Sequence, residues 1–301
     1  MPRRRVRSME LPTWGLIAVI YGGWLALTYN YNVLPWWVLL PLGAWLTAWH
    51  MSLQHEVLHG HPTRSQRVND LIGMPPLSLW LPYEIYRVEH LRHHREPYLT
   101  DPLEDTESYY VTPEDWARRT PLHRALTILC NTMAGRILVG PARSMIGFLM
   151  REAGRVWRGE GRARGIWARH LVACAAVVWW LVAVCDVPLP GYVVLFVYPG
   201  YMLALIRSFA EHRAASLPAH RTAIVENTPV FGLLFLHNNL HVVHHQRPNL
   251  PWYEIPRLYR AHRDALIAGN GGLVYDGYLD VARRHLVTPH HAPVHPGAAR
   301  V

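Results

Sequence analysis

Residues His237–His245 read H-N-N-L-H-V-V-H-H, four imidazoles in nine positions. Two earlier stretches repeat the logic: His55-Glu-Val-Leu-His59 and His90-Leu-Arg-His93-His94. On a helix, residues three and four apart share a face, so His90, His93 and His94 form one set of rings and His241, His244 and His245 another, with His55 and His59 a matching pair. Neutral imidazole is a good ligand for first-row metals, and three such stretches supply more nitrogens than one tetrahedral zinc can use. The spacing therefore implies two metals. One H-x-x-x-H alone is common and carries little; the information lies in the co-occurrence of three stretches.

Metal-bound imidazole usually donates its other N–H to a carboxylate or carbonyl. Glu56, Glu89 and Glu211 each stand beside a candidate ligand and are expected to serve a ring of another cluster. The acidic run Asp101–Glu107 can do likewise or be a solvated loop. His237 stays open between a ligand, a group behind the ligands, and a support for Asn238 and Asn239. His61 follows Gly60 and leaves the helical face. His50, His123, His170, His220 and His262 read as ordinary interfacial histidines, and His285, His290, His291 and His295 as bystanders.

The elements that must hold these rings are apolar. Half of the 301 residues are hydrophobic, yet the formal charge is +9, a mixture that suggests segregation rather than a uniform soluble surface. After the basic cluster Met1–Arg7 comes an uncharged run from Leu11 to Trp49, with no small-residue cleavage site of a secretory signal. It reads as a retained hairpin with arms Thr13–Thr28 and Leu34–Trp49, near the lower limit of the ~17–25 residues that span a bilayer. Trp14, Trp36, Trp37 and Trp49 sit near the ends, as in an aromatic belt. A second hairpin follows at Leu171–Val187 and Tyr192–Ile206. A buried hairpin of a soluble protein is the alternative, but nearly forty residues without charge is rare there.

All thirty basic residues are Arg, which fits a bacterial genome of high GC content, and the outer turns of both hairpins contain none of them. The positive-inside rule puts both termini and every histidine cluster in the cytosol. Because the arginines flank spans, anionic headgroups rather than nucleic acid are the expected partner. Leu71–Pro82 and Leu122–Met150 read as interfacial segments whose Arg124, Arg136 and Arg143 face headgroups, Arg151–Arg169 as a solvated linker, and 285–301 as a disordered tail after a single domain, 1–284. Cys130, Cys174 and Cys185 form no C-x-x-C and read as buried small hydrophobes.

The three histidine stretches, with hairpins before and between them, resemble the membrane fatty acid desaturase and alkane hydroxylase superfamily. The resemblance implies an all-α membrane protein, a four-helix transmembrane stem of two hairpins carrying a cytosolic, histidine-rich helical cap, with two irons bound in the cap. It assigns as ligands His55 and His59 (first box), His90, His93 and His94 (second), and His241, His244 and His245 (third). Ser208-Phe-Ala-Glu211-His212 is similar to a short Glu-His motif of alkane hydroxylases and implies His212 as a ninth ligand, with His237 the competing candidate.

Unactivated C–H bonds are beyond acid–base chemistry, so the implied reaction draws on dioxygen, a redox metal and external electrons; zinc cannot serve, iron can. A second hydrogen removed from the chain gives an alkene, return of oxygen an alcohol; desaturation is placed ahead of hydroxylation. The chain carries no fused electron-transfer domain, so a separate donor, a ferredoxin or rubredoxin with its reductase, is expected to dock on the basic face. Two readings from other classes are a zinc-dependent membrane hydrolase and a metal or haem carrier. The carrier would place histidines at bilayer depth, where the central parts of the four expected spans have none.

Overall fold

A computed structural model describes residues 9–297; the basic cluster Met1–Arg7 and the last residues of the tail lie outside the described residues. The described chain is helical, in the order α1 Leu11–Tyr29, α2 Trp36–Leu58, α3 Gln66–Gly73, α4 Tyr83–His93, α5 Pro113–Arg118, α6 Pro121–Cys130, α7 Met133–Leu138 and α8 Gly140–Arg158. Then come α9 Ala163–Trp179, α10 Leu189–Tyr192, α11 Tyr198–Glu211, α12 Pro229–Leu234, α13 His241–Gln246, α14 Ile255–Gly269 and α15 Gly277–His285. Wider π turns, Trp180–Val184 and Val193–Val197, extend α9 and join α10 to α11. The strands among the described residues are β1 Ile224–Val225 and β2 Val274–Tyr275, paired in parallel with Ile224 opposite Val274 and Val225 opposite Tyr275.

Among the described residues, three helices are long and apolar enough to cross a membrane: Leu11–Tyr29, Ala163–Val184 and Leu189–Glu211. Their outward faces carry exposed Val19, Leu25, Val172, Trp179, Val182 and Val194, as a lipid-facing surface requires. The expected fourth arm, Leu34–Trp49, lies in α2, which does not reach that apolarity. Four tryptophans and Pro41 interrupt its aliphatic side chains, and its second half carries His50, Gln54, His55 and Glu56.

Close packing of α2 on the last long helix sets the frame of the site. A Cβ at Gly200 would lie 2.5 Å from Thr47 Cβ, and one at Gly43 would lie 2.8 Å from the Phe196 ring. Glycine at these two positions lets the helices approach to a distance no larger residue allows. The hairpins are also tied by polar groups where little water competes. Trp24 Nε1 donates to Tyr192 Oη at 2.8 Å, Tyr192 Oη to Leu77 O at 2.7 Å, and Trp180 Nε1 to Thr28 Oγ1 at 3.0 Å.

Several expected segments differ. Leu77 and Trp80 join the core between the hairpins, so Leu71–Pro82 packs into the bundle instead of lying along the interface. Leu122–Met150 divides among α6, α7 and α8, and Arg136 is turned inward, only 3% exposed, to donate through Nε to Cys130 O at 2.8 Å. The expected linker Arg151–Arg169 is helical save for residues 159–162. Gly159, in the left-handed region at φ 68°, ends α8, and buried Glu152 accepts from Arg155 and Trp167.

The expected disordered tail is placed over its described part. Val111 N donates to Pro293 O at 3.0 Å, His295 N to Val111 O at 3.1 Å, and His290 N to Asn131 O at 2.7 Å. Backbone pairing of this kind is not written in side-chain composition. Its histidines are structural: His290 meets Tyr275 Oη at 2.8 Å and His295 meets Thr100 Oγ1 at 3.1 Å. Of the three free cysteines, Cys130 and Cys185 are buried as expected and Cys174 is half-buried.

Candidate metal centre

Four helix ends converge beyond the apolar bundle. The C-terminal turn of α2 carries His55 and ends on His59; α4 carries His90 and His93 and ends on His94. The last long helix ends at Glu211, and His212 follows in extended backbone (φ −132°, ψ 139°), which turns its ring away from the helix and back toward the others. Helix α13 begins on His241 and carries His244 and His245.

These nine rings form two groups. His55, His59, His90, His94 and His244 are one; His93, His212, His241 and His245 are the other; in each, the candidate ligand nitrogens all lie within 4.8 Å of one another. Neither H-x-x-H-H stretch points all three rings to one place. Helix α4 sends His90 and His94, one turn apart, to the first group and His93 to the second, while α13 sends His244 to the first and His241 and His245 to the second. Both helices thus bridge the two groups.

The outer nitrogens of several rings are spoken for. His90 Nδ1 donates to Glu107 Oε1 at 2.7 Å and His93 Nδ1 to Asp105 Oδ1 at 2.7 Å. His212 Nδ1 donates to Arg221 O at 3.2 Å and His241 Nδ1 to Asn238 Oδ1 at 3.0 Å. Asp105 is fixed in turn by the backbone N–H groups of Thr100 (2.7 Å) and Glu107 (2.9 Å). With Nδ1 holding the hydrogen, Nε2 presents a lone pair. The Nε2 atoms of the two groups crowd together: His93 and His212 Nε2 are 3.2 Å apart, His212 and His241 3.0 Å, His90 and His94 3.0 Å, and His94 and His244 2.8 Å.

Lone pairs crowded in this way repel unless a cation lies between them, so this donor set fits metal ions. Buried His59 Nε2, which has no hydrogen-bond partner, says the same. Electrostatics agree. Burial first, and then mutual repulsion among neighbouring rings, keeps His241, His244 and His245 neutral, with pKa values well below the usual imidazole range. The same causes lower His94 to about 2, and burial with the nearby His93 lowers His212 to about 3. Neutral imidazole is the ligating form. His93 is the exception. Burial opposes its charge, but Glu107 and the hydrogen-bonded Asp105 outweigh it and push it up to about 9.

His237 belongs to neither group. Its backbone is left-handed (φ 58°) and its ring stacks on Trp252 at 6.0 Å, away from both clusters. His61 is likewise apart, fully buried and held by Glu10 at 2.9 Å. His50, expected at an interface, is fully buried with Nε2 3.3 Å from Tyr21 Oη. Among the glutamates, Glu211 Oε1 lies 3.4 Å from His241 Nδ1 and 3.2 Å from Arg207 Nε, whereas Glu56 accepts Trp252 N–H at 3.0 Å. The side chain of Glu89 lines the neighbouring cavity instead of a ring. Asn238 was legible only as a neighbour of His237. Its amide lies between the two groups, bonded to His241 and 3.3 Å from His55 Nε2.

Beside the second group is a cavity of 380 Å³. Asp105, Glu107, Glu211 and His212 line it together with Tyr109, Phe148, Tyr201 and the arginines Arg136, Arg151 and Arg207. Its walls are more apolar than polar, which suits an alkyl chain near the rings.

Comparison with curated proteins gives no match. A family model described as Fatty acid desaturase matches residues 31–277, a stretch that includes all nine converging histidines and most of the bundle. With the match covering well over half of its length, the chain belongs to the fatty acid desaturase family.

Proposed function

We propose that the protein is a membrane di-iron oxidase that desaturates an unactivated aliphatic chain, fatty acyl or another lipid, with dioxygen. The observation that carries this is the pair of imidazole groups, five rings and four, beside a largely apolar cavity in a chain with membrane-length helices. The nine ligands proposed are His55, His59, His90, His94 and His244 for one iron and His93, His212, His241 and His245 for the other. When bound, the iron pair supplies the redox chemistry by which dioxygen takes hydrogen from a saturated carbon.

The chain's own residues then have definable tasks. Asp105 and Glu107 hold His93 and His90 with Nε2 turned inward, and Asn238 and the Arg221 carbonyl do so for His241 and His212. Tyr109, Phe148 and Tyr201 exclude water from the chain and fix which carbon comes near the rings. In the balanced reaction the chain loses two hydrogens and becomes an alkene. Dioxygen, two electrons and two further protons account for two waters. The electrons come from a separate carrier, a ferredoxin or rubredoxin, for which the basic face offers a complementary surface.

In the same reading, residues 34–49 of α2 complete a four-helix stem, the rings form a cytosolic cap, and the protein resides in a bacterial inner membrane with both termini cytosolic. The arginine-free outer turns of the two hairpins support that orientation. Metal analysis of the purified protein tests the assignment. About two irons per chain is the expected result, and zinc in their place removes the oxidase reading in favour of a hydrolase.

A further inference from the structure

Next to the chain cavity is a second pocket, of 330 Å³, bordered by Arg119, Arg136, Arg143 and Arg151. Arg136 and Arg151, with Tyr109, Ser144 and Phe148, line the chain cavity as well, so the two spaces adjoin and Arg119 and Arg143 belong to the second pocket alone. No carboxylate lines the second pocket among the described residues, and none forms an ion pair with any of these four arginines. Asp115 and Glu89 are close enough to be felt by Arg119 and Arg151 but pair with neither.

Arg136 is the most telling of the four. It is 3% exposed, its guanidinium lies 3.6 Å over the Tyr109 ring, and its Nη1 is buried without a partner. Arg119 Nη1 and Arg143 Nη2 both donate to the single hydroxyl Thr127 Oγ1, at 2.7 and 2.9 Å, which brings two like charges together. A buried cation without a counter-charge is costly, and so is a close pair of guanidinium groups. An anion with several oxygens would relieve both.

We propose that this pocket binds the anionic head, a carboxylate or a phosphate, of the lipid whose alkyl chain occupies the adjoining cavity. The chain then runs from Arg136 past Ser144 and Phe148 toward His212, and the distance from head to rings selects the carbon presented. The identity of the occupant as a substrate rests on the oxidase reading; the binding itself does not.

The test is equilibrium binding to the full-length protein in neutral-lipid nanodiscs, without electron donor, using hexadecyl phosphate, hexadecanoate, hexadecan-1-ol and inorganic phosphate. Wild type is expected to bind at least one of the two alkyl anions about ten-fold or more tighter than the alcohol, and the tighter of the two identifies the head. Arg136→Gln and the less buried Arg143→Gln should each weaken that anion about ten- to a hundred-fold and leave the alcohol within about two-fold. Ser144→Phe, at the junction, should retain inorganic phosphate and lose hexadecyl phosphate.

Equal affinity for alcohol and alkyl anions overturns the proposal. So does an Arg143→Gln loss that is the same for all alkyl probes, or inorganic phosphate binding that neither alkyl anion displaces. Should the anions bind as expected while no lipid is oxidised, the head pocket stands and the oxidase reading falls.

Discussion

His93 and His94 are adjacent in the chain and serve different clusters. His93 Nε2 lies 3.2 Å from His212 Nε2, His94 Nε2 lies 2.8 Å from His244 Nε2, and the two rings are 82° apart in plane. A helix turns about 100° per residue, so consecutive side chains diverge; at the end of α4 that divergence places one ring in each group. Replacing either residue with Ala is therefore expected to remove metal from one cluster, leaving about one iron per chain with the remaining ion spectroscopically altered. Complete loss from a single replacement would show that the clusters do not fill independently.

His212 reaches its cluster from the end of a membrane-length helix, and His237 lies against Trp252. His212→Ala should lower iron content and abolish turnover while the protein still inserts and elutes as the wild type does. His237→Ala and His220→Ala should keep wild-type iron. Full iron in His212→Ala together with loss in His237→Ala would assign the ninth ligand to His237.

The raised pKa of His93 has a consequence for metal uptake. At pH 7.5 a group with a pKa of about 9 is mostly protonated in the ion-free protein, while the neighbouring rings whose values are lowered are already neutral. Loading with ferrous ion under anaerobic conditions should then release ~1 proton per chain at pH 7.5, and the release should fall toward zero as pH rises past about 9. Asp105→Asn removes a carboxylate that holds the proton on His93, so release at pH 7.5 should drop and metal affinity should weaken by about 10- to 100-fold. Titration in weak buffer with a pH indicator reads both; release that grows with pH contradicts the assignment.

The approach of α2 to the last long helix depends on Gly200, where a Cβ would come within 2.5 Å of Thr47 Cβ. Gly200→Ala should destabilise the protein by about 1–3 kcal/mol, the usual range for overpacking. Gly22→Ala, which meets nothing within 4 Å, should change little. A thermal melt in detergent ranks them, and equal midpoints would show that the close approach is unimportant.

Eight of the nine converging rings stand out in the sequence because i, i+3 and i+4 spacing survives as helix geometry; His212 stands out only through the likeness of its Glu-His pair to a known motif, and its extended backbone is what turns it toward the boxes. The division of the rings between two groups does not stand out. It depends on how α4 and α13 are rotated against each other, a tertiary property of residues about 150 positions apart. Asp105 and Glu107 were visible only as one acidic run among several. What makes them partners of His93 and His90 is a loop folded back on the Thr100 amide. Arg136 misled, since an arginine in an apolar run reads as headgroup-facing until a pocket is seen to surround it. The tail misled for a related reason: Pro293, Val294 and His295 are placed by backbone pairing with Val111.

The central claim is oxygen-dependent removal of hydrogen from an alkyl chain, and product mass tests it most directly. Iron-loaded protein in lipid bilayers, supplied with a ferredoxin, its reductase and air, should yield lipids lighter by two hydrogens. The yield should vanish without oxygen and in His94→Ala. Lipids heavier by one oxygen would replace desaturation with hydroxylation; no oxygen-dependent product from iron-loaded protein, across carboxylate- and phosphate-headed chains, would contradict the account.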